Sequence, residues 1–179
     1  MASILAFAGS NSSTSINFEL VRCTVALVEG HAVQLKDMAQ YPFPMYRADD
    51  ERLKGFPEEV VEFKADIGSA EGLILSVNEH NGNPSAYFKN LMDWLSRMDR
   101  KFMEGTKIFL MSTSRGKRGG AGSREVVHNL LSRFGGEIVS SFSLPSFREN
   151  FGDGKILDAE LKVEHQKALN AFLESLTQQ

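Results

Sequence analysis

Short apolar runs alternate along this chain with longer segments in which apolar residues recur every three or four positions, the spacing of one helix face. The first run starts at Ala2 and ends in Gly9, and others follow at His31–Leu35, Gly72–Val77, Lys107–Met111 and Glu137–Phe142. Gly72–Val77, GLILSV, is apolar almost throughout, as a central strand covered on both faces must be. Between the runs, Ser15–Glu29 predicts a helix with Ile16, Leu20, Cys23 and Leu27 inward and Gly30 as its stop. Pro57 opens a second helix, with Glu58 and Glu59 complementing its dipole and Val60, Val61, Phe63 and Ile67 on its buried face. Ser85–Met98 predicts a third, on Phe88, Leu91, Met92 and Leu95 with Trp94 beside the stripe. Arg124–Phe134 predicts a fourth, stopped by Gly135-Gly136. Asp158 caps a closing helix that runs to Leu176, with Leu161, Ala168, Leu169, Phe172 and Leu176 facing in. Strand followed by helix, five times over, predicts an α/β fold: a parallel five-stranded sheet with helices on both faces. No internal repeat, low-complexity tract or dividing linker interrupts it, so one domain over residues 1–179 is expected.

Two stretches resist regular structure. Tyr41–Tyr46, YPFPMY, holds two prolines that bar helix and central strand alike, yet it carries four large apolar side chains. Such a loop must lie against its own core edge, a partner chain or a ligand. Ser143–Leu157 is read as a long loop leading to the last helix.

The polar loops are not alike. Those after the first, third and fourth strands are rich in Gly, Ser and Asn: GSNSSTSIN, NEHNGNP and STSRGKRGGAGS. In a sheet of order 2-1-3-4-5 these three strands are central neighbours, and ligands of such sheets bind at the strands' carboxyl ends. The three loops would therefore meet at one edge. The first passes from strand to helix through Ser10, Ser12, Ser13, Thr14, Ser15 and Asn17, so hydroxyls, backbone N–H groups and a helix dipole converge. That arrangement suits a phosphate, although a Ser-rich turn capping a helix has the same composition. It is not a Walker loop, since no Lys follows a Gly there, nor a Rossmann loop, since Gly9 is its lone glycine.

Bulk properties narrow the classes. Net charge is −3 with no dominant basic block, which argues against nucleic acid as the main partner. The single cysteine, Cys23, rules out an intrachain disulfide framework and a CxxC metal site, and its place in an apolar stripe marks it as packing. His31, His128 and His165 have no partners at metal-ligand spacing and read as surface residues, so no metal is expected. No apolar run is long enough to span a membrane. Met1-Ala2-Ser3 lacks a basic n-region, so a cytoplasmic protein is expected.

Read together, the three loops resemble those of the NADPH-dependent FMN reductase family of flavodoxin-like proteins. Gly9, Ser10, Ser15 and Asn17 match its first loop. Glu79, Asn81, Gly82, Pro84, Lys89, Asn90, Asp93 and Trp94 match its second motif, with one residue fewer between Gly82 and Pro84. Ser112 or Ser114 with Gly116, Gly119 and Gly120 match a looser third. The resemblance implies a flavodoxin-like three-layer sandwich with strand order 2-1-3-4-5. It implies FMN, with NADPH or NADH as reductant, and hydride passing through the flavin to a small acceptor: free flavin, a quinone, an azo compound or a metal oxyanion. By position, Ser10, Ser12, Ser15, Ile16 and Asn17 would hold the phosphate. Asn78, Glu79, His80, Asn81 and Gly82 would pass along the ring, mainly through backbone, and Ser114, Arg115 and Gly116 would lie near its pyrimidine or ribityl end. The flavin carries such chemistry, so no catalytic side chain is required.

The chain departs from that pattern at three positions. Ser12 stands where the family often has arginine, which implies weaker FMN binding, since a charge-assisted hydrogen bond is roughly twice as strong as a neutral one. Asn78 and His80 replace a proline and a tyrosine; His80 either hydrogen-bonds flavin or substrate or simply faces solvent. Arg115, Lys117 and Arg118 either attract the nicotinamide cofactor's phosphates or are solvated. Asp93 and Trp94 read as packing and capping at an interface, since members commonly form homodimers or homotetramers, and Asp49, Asp50 and Glu51 as a solvated acidic loop. Two other functions fit the same sequence: a flavodoxin-type electron carrier, and an FMN-free relative acting as a binding module.

Overall fold

The computed structural model describes residues 1–177; positions 178 and 179 of the expected domain lie outside the described residues. Five parallel strands form its sheet: β1 (Ser3–Ala8), β2 (Ala32–Lys36), β3 (Gly72–Val77), β4 (Lys107–Thr113) and β5 (Glu137–Leu144), in the order β2-β1-β3-β4-β5. Helices α1 (Ile16–Val25), α2 (Ala48–Lys54), α3 (Glu58–Ser69), α4 (Ala86–Met98) and α5 (Ala121–Arg133) connect them. A short α6 (Phe147–Asn150) and a hairpin of β6 (Phe151–Gly152) and β7 (Lys155–Ile156) precede the closing helix α7 (Ala159–Thr177).

The alternation of side chains along a strand divides the core in two. Leu5, Phe7, Leu73, Leu75, Ile108 and Leu110 point toward α3, α4 and α5. Ile4, Ala6, Ile74, Phe109 and Met111 point toward α1 and α7. Every residue of β3 is buried, which is why its sequence is nearly continuous in apolar character. These are the three layers the sequence implies.

The Tyr41–Tyr46 loop folds back on its own core edge. Phe43 meets Phe63 edge-on at 5.9 Å, and Tyr46 meets Trp94 edge-on at 5.0 Å. The Asn90 and Trp94 side chains both donate to the Pro44 carbonyl, at 2.9 and 2.8 Å, while Asn90 Oδ1 accepts the Tyr46 N–H at 2.7 Å. Trp94 therefore packs within the chain, and it is buried.

Several expectations are corrected. The acidic run Asp49–Glu51 is not loop but the first turn of α2, whose dipole it complements, with Arg52 and Lys54 in the last turn. Arg97 fixes this helix by a two-pronged contact to Glu51 at 3.0 and 3.1 Å, and the Tyr46 hydroxyl donates to the same carboxylate at 2.8 Å. α1 ends at Val25, because Leu27 N–H bonds the Thr24 carbonyl in a tightened last turn before Gly30 reverses the chain. Leu27 is consequently half-exposed rather than inward, and Val61 likewise lies off the buried face of α3. Within the expected long loop, Asp153 and Gly154 both take left-handed backbone and turn the β6–β7 hairpin.

His165 is the largest correction. It is not a surface residue but is 1% exposed, with Nε2 2.9 Å from the Thr24 hydroxyl and its ring edge-on to Phe142 at 5.2 Å. Burial lowers its pKa to about 4, so the folded protein holds a neutral imidazole at neutral pH. An unfolded chain would take up a proton near pH 6.5, so this contribution to stability is full above that pH. It is lost as pH falls toward about 4, for a total of about 3 kcal/mol. His165→Phe should flatten this acid-side loss. Urea unfolding at pH 7 and pH 4.5 checks it, and an equally steep loss in the variant would assign the acid sensitivity elsewhere.

Candidate functional site

The three polar loops leave the sheet at adjacent points, because β1 pairs with β3 and β3 with β4 up to their carboxyl ends. Gly9 begins the first loop, where a Cβ would lie 2.8 Å from the Phe88 ring, so only glycine lets α4 approach this closely. Gly9 N–H donates to the Ser76 carbonyl at 2.9 Å, and its own carbonyl accepts the Ser85 hydroxyl at 2.7 Å. Ser85 also caps α4 by accepting the Phe88 N–H.

Asn17 ties the loops together. Its Oδ1 accepts the Ser76 hydroxyl at 2.7 Å and the Thr113 N–H at 3.0 Å, and its Nδ2 donates to the Thr113 carbonyl at 3.2 Å. The side chain expected at a phosphate is thus a strut between α1, β3 and β4, and what remains for a ligand is its backbone N–H. Ser15 caps α1, its Oγ accepting the Phe18 N–H at 3.2 Å. Ser10 Oγ accepts the Ser12 N–H, and Ser12 Oγ accepts the Thr14 N–H, each at 3.3 Å. Among the described residues the N–H groups of Ile16 and Asn17 have no partner, as the first turn of a helix leaves them. The loop therefore offers hydroxyl protons and two helix N–H groups, with no cationic side chain from Ser10 to Asn17.

In the second loop, Asn81 and Gly82 both have positive φ, 53° and 75°, and form a two-residue hairpin turn. His80 N–H donates to the Asn83 carbonyl at 2.8 Å, and Asn83 N–H returns the bond at 3.1 Å. The tip at Asn81 and Gly82 is exposed backbone with little bulk. The Glu79 carboxylate points the other way, accepting the Ser123 N–H at 2.9 Å and so capping α5, while the Ser123 hydroxyl donates to the Asn78 carbonyl at 2.8 Å. This cap explains why α5 starts at Ala121, earlier than its apolar spacing suggests. The Asn78 amide lies 3.1 Å from His80 Nε2, and among the described residues its buried Oδ1 has no partner. His80 itself is exposed.

The third loop is stitched to the start of α6. The Ser114 carbonyl accepts the Phe147 N–H, and the Gly116 carbonyl accepts the Ser146 N–H, both at 3.0 Å. A Cβ on Gly119 would stand 2.7 Å from the Leu144 carbonyl, so the loop passes β5 at backbone contact. Ser114 is half-buried and Arg115, Gly116, Lys117 and Arg118 are exposed.

The structure thus brings the sequence-derived residues of all three loops to one edge, joined through Asn17 and Glu79. A cavity of about 200 Å³, lined by Pro44, Met45, Phe56 and Trp94 among others, lies apart from them. Cys23 is half-buried and burial pushes its thiol pKa up, consistent with packing rather than nucleophilic chemistry. Among the described residues no three His, Cys, Asp or Glu side chains converge as metal ligands, and no helix is long and apolar enough to cross a membrane. Sequence reasoning missed Ser76, Thr113 and Ser123, the partners of Asn17 and Glu79. Ser76 and Thr113 carried a signal, a hydroxyl in the last two residues of a strand, whereas Ser123 lies in the first turn of α5 and carried none.

Against known proteins, the family model described as NADPH-dependent FMN reductase matches residues 2–149. The chain is 30% identical over 119 residues to the NAD(P)H-dependent FMN reductase PA1204 of Pseudomonas aeruginosa, a span of 66% of this chain and 63% of that protein. It is 33% identical over 78 residues to a quinone reductase of Escherichia coli K12, 44% of this chain and 42% of the relative. The alignments thus span less than two thirds of either relative. In fold it resembles FerB, a flavoenzyme NAD(P)H:(acceptor) oxidoreductase from Paracoccus denitrificans, with a TM-score of 0.80 at 22% identity over 98% of this chain and 97% of that one.

Replacing Asn17 with Leu should destabilise the fold by about 3 kcal/mol, because the Thr113 N–H and carbonyl and the Ser76 hydroxyl would lose their buried partner. Urea denaturation measures it; a loss below about 1 kcal/mol would mean that water replaces the amide and the strut is dispensable.

Proposed function

The chain belongs to the NADPH-dependent FMN reductase family, and from that membership we propose that its three-loop edge binds FMN and that the protein is an NAD(P)H-dependent flavin oxidoreductase. One observation carries this reading: a neutral cradle of hydroxyls and helix N–H groups, a slim backbone turn and a third polar loop lie side by side and are mutually braced.

The residues fit the group. A phosphate needs converging donors, and Ser10, Ser12 and Ser15 with the N–H groups of Ile16 and Asn17 supply them at the positive end of α1. A flat ring needs backbone at close approach, and Asn81-Gly82 presents backbone without bulk. Asn78, Glu79 and His80 set the base of that turn, and Ser114, Arg115 and Gly116 form the facing side. FMN held there supplies the chemistry, accepting hydride from NADPH or NADH and giving electrons to a small acceptor such as a free flavin, quinone, azo compound or metal oxyanion. The side chains bind and orient; none is asked to move a proton in hydride delivery itself. The names of the relatives in Pseudomonas aeruginosa and Escherichia coli support a flavin and a quinone among these acceptors. We read residues 1–179 as one FMN-binding domain of a cytoplasmic homodimer or homotetramer.

Purified protein mixed with excess FMN and desalted should keep the visible flavin bands, and anaerobic NADH or NADPH should bleach them. Retained flavin that neither nicotinamide bleaches would make this an electron carrier, and no retained flavin would leave a binding module. Ser12→Arg should tighten FMN about tenfold, or about 1–2 kcal/mol, if the new charge reaches the phosphate. Unchanged affinity would place Ser12 away from it.

A further inference from the structure

The mechanism above leaves the positive charge beyond the third loop unused. Between α5 and β5 lies a cavity of about 400 Å³, within the size range of small-molecule sites. Its wall includes Arg118, Arg124, His128 and Ser141. Arg124 Nη donates to the Ser141 hydroxyl at 2.8 Å, which holds the guanidinium over the edge strand. Neither arginine has a carboxylate within 4.0 Å among the described residues. Glu125 is the lining's one acidic residue, against two guanidiniums and an imidazole. Burial lowers the Arg124 pKa, and the neighbouring Glu125 offsets that only in part. In a chain of net charge −3, this concentration of unpaired arginine is a local reversal of sign.

We propose that this cavity seats the 2′-phosphate of NADPH, so that Arg118 and Arg124 decide between the two nicotinamide cofactors. The inference rests on the function proposed above, which makes a nicotinamide dinucleotide the reductant. Three arguments identify the ligand. A guanidinium fork matches phosphate oxygens in pairs, and two forks with a hydroxyl in the same wall suit a dianionic phosphomonoester. The cavity also adjoins the right loop: Arg118 follows Gly116 by two residues, at most about 7 Å of chain. Finally, a nicotinamide stacked at the flavin places its adenosine a ribose and a pyrophosphate away, which carries the 2′-phosphate off the flavin edge and onto adjoining surface. NADH has a hydroxyl at that position and leaves both arginines unmatched.

The test uses redox-inert halves of the cofactor on the full chain: calorimetric titration with adenosine 2′,5′-bisphosphate and with adenosine 5′-monophosphate at low salt. The bisphosphate should bind at least tenfold more tightly, and Arg124→Gln or Arg118→Gln should each weaken it about tenfold while leaving the monophosphate unchanged. Arg118 is exposed, so its substitution leaves the fold intact even if Arg124→Gln proves unstable. Equal affinity for the two nucleotides, or unchanged bisphosphate affinity in Arg118→Gln, overturns the proposal. Flavin retention, read on the same samples by absorbance, separates failure of the FMN reading from failure of this one, because the titration needs no electron transfer.

Discussion

The site depends on one buried amide. Asn17 sits 2% exposed at the start of α1 and joins the ends of β3 and β4 through Ser76 and Thr113. Parallel strands hold one another in register, but past their last ladder bond the backbone groups have no partner. Asn17 satisfies two such groups on Thr113 at once and thereby fixes where the first loop lies relative to the third. Glu79 does the same for the second and third loops by capping α5 from outside its own segment. Neither residue need touch a ligand to matter to one. Both fix the loops relative to one another, which the bonds within each loop do not.

The same division of labour runs through the residues that match the family's motifs. Gly9 is required by the approach of Phe88, Gly119 by the approach of Leu144, and Asn90 and Trp94 by the carbonyl of Pro44. A large part of each motif is therefore scaffold, and the ligand edge is left to backbone and hydroxyl groups. This arrangement has a physical reason: a flat ring is placed by surfaces, and surfaces are placed by packing. Substitutions at scaffold positions should then act on every ligand alike, whereas Ser12 and His80 vary at the exposed edge.

What could be read from the chain follows from where each element draws its stability. β3 and β4 are buried on both faces, so apolar runs revealed them, and short Gly- and Ser-rich loops marked their carboxyl ends. α2 was illegible because Asp49–Glu51 become a helix turn only when Arg97, 46 residues from Glu51, grips that carboxylate. His165 was legible in principle, standing four residues after Leu161 and four before Leu169 in the inward stripe of α7. Its residue type argued for the surface, and the Thr24 hydroxyl that satisfies it comes from another helix. Asn17 shows the remaining limit. An amide in the first turn of a helix serves equally as ligand or strut, and only the positions of Ser76 and Thr113 decide.

Charge is distributed unevenly over the three loops, and that distribution has consequences. The first loop carries no cation, so its grip on a phosphate comes from short-range neutral donors and the α1 dipole. The third carries Arg115, Lys117 and Arg118, all exposed, with Arg124 just beyond. Exposed charges act over about 8 Å at physiological ionic strength and are screened beyond it, whereas hydrogen bonds in contact are scarcely screened. On the proposed reading, a flavin phosphate seated on the first loop would be held by contacts that salt barely weakens. A nicotinamide dinucleotide approaching the third loop meets a field that salt weakens strongly. Salt-indifferent retention suits a cofactor that stays, and a screened, faster-exchanging attraction suits a reductant that must leave before the next acceptor enters.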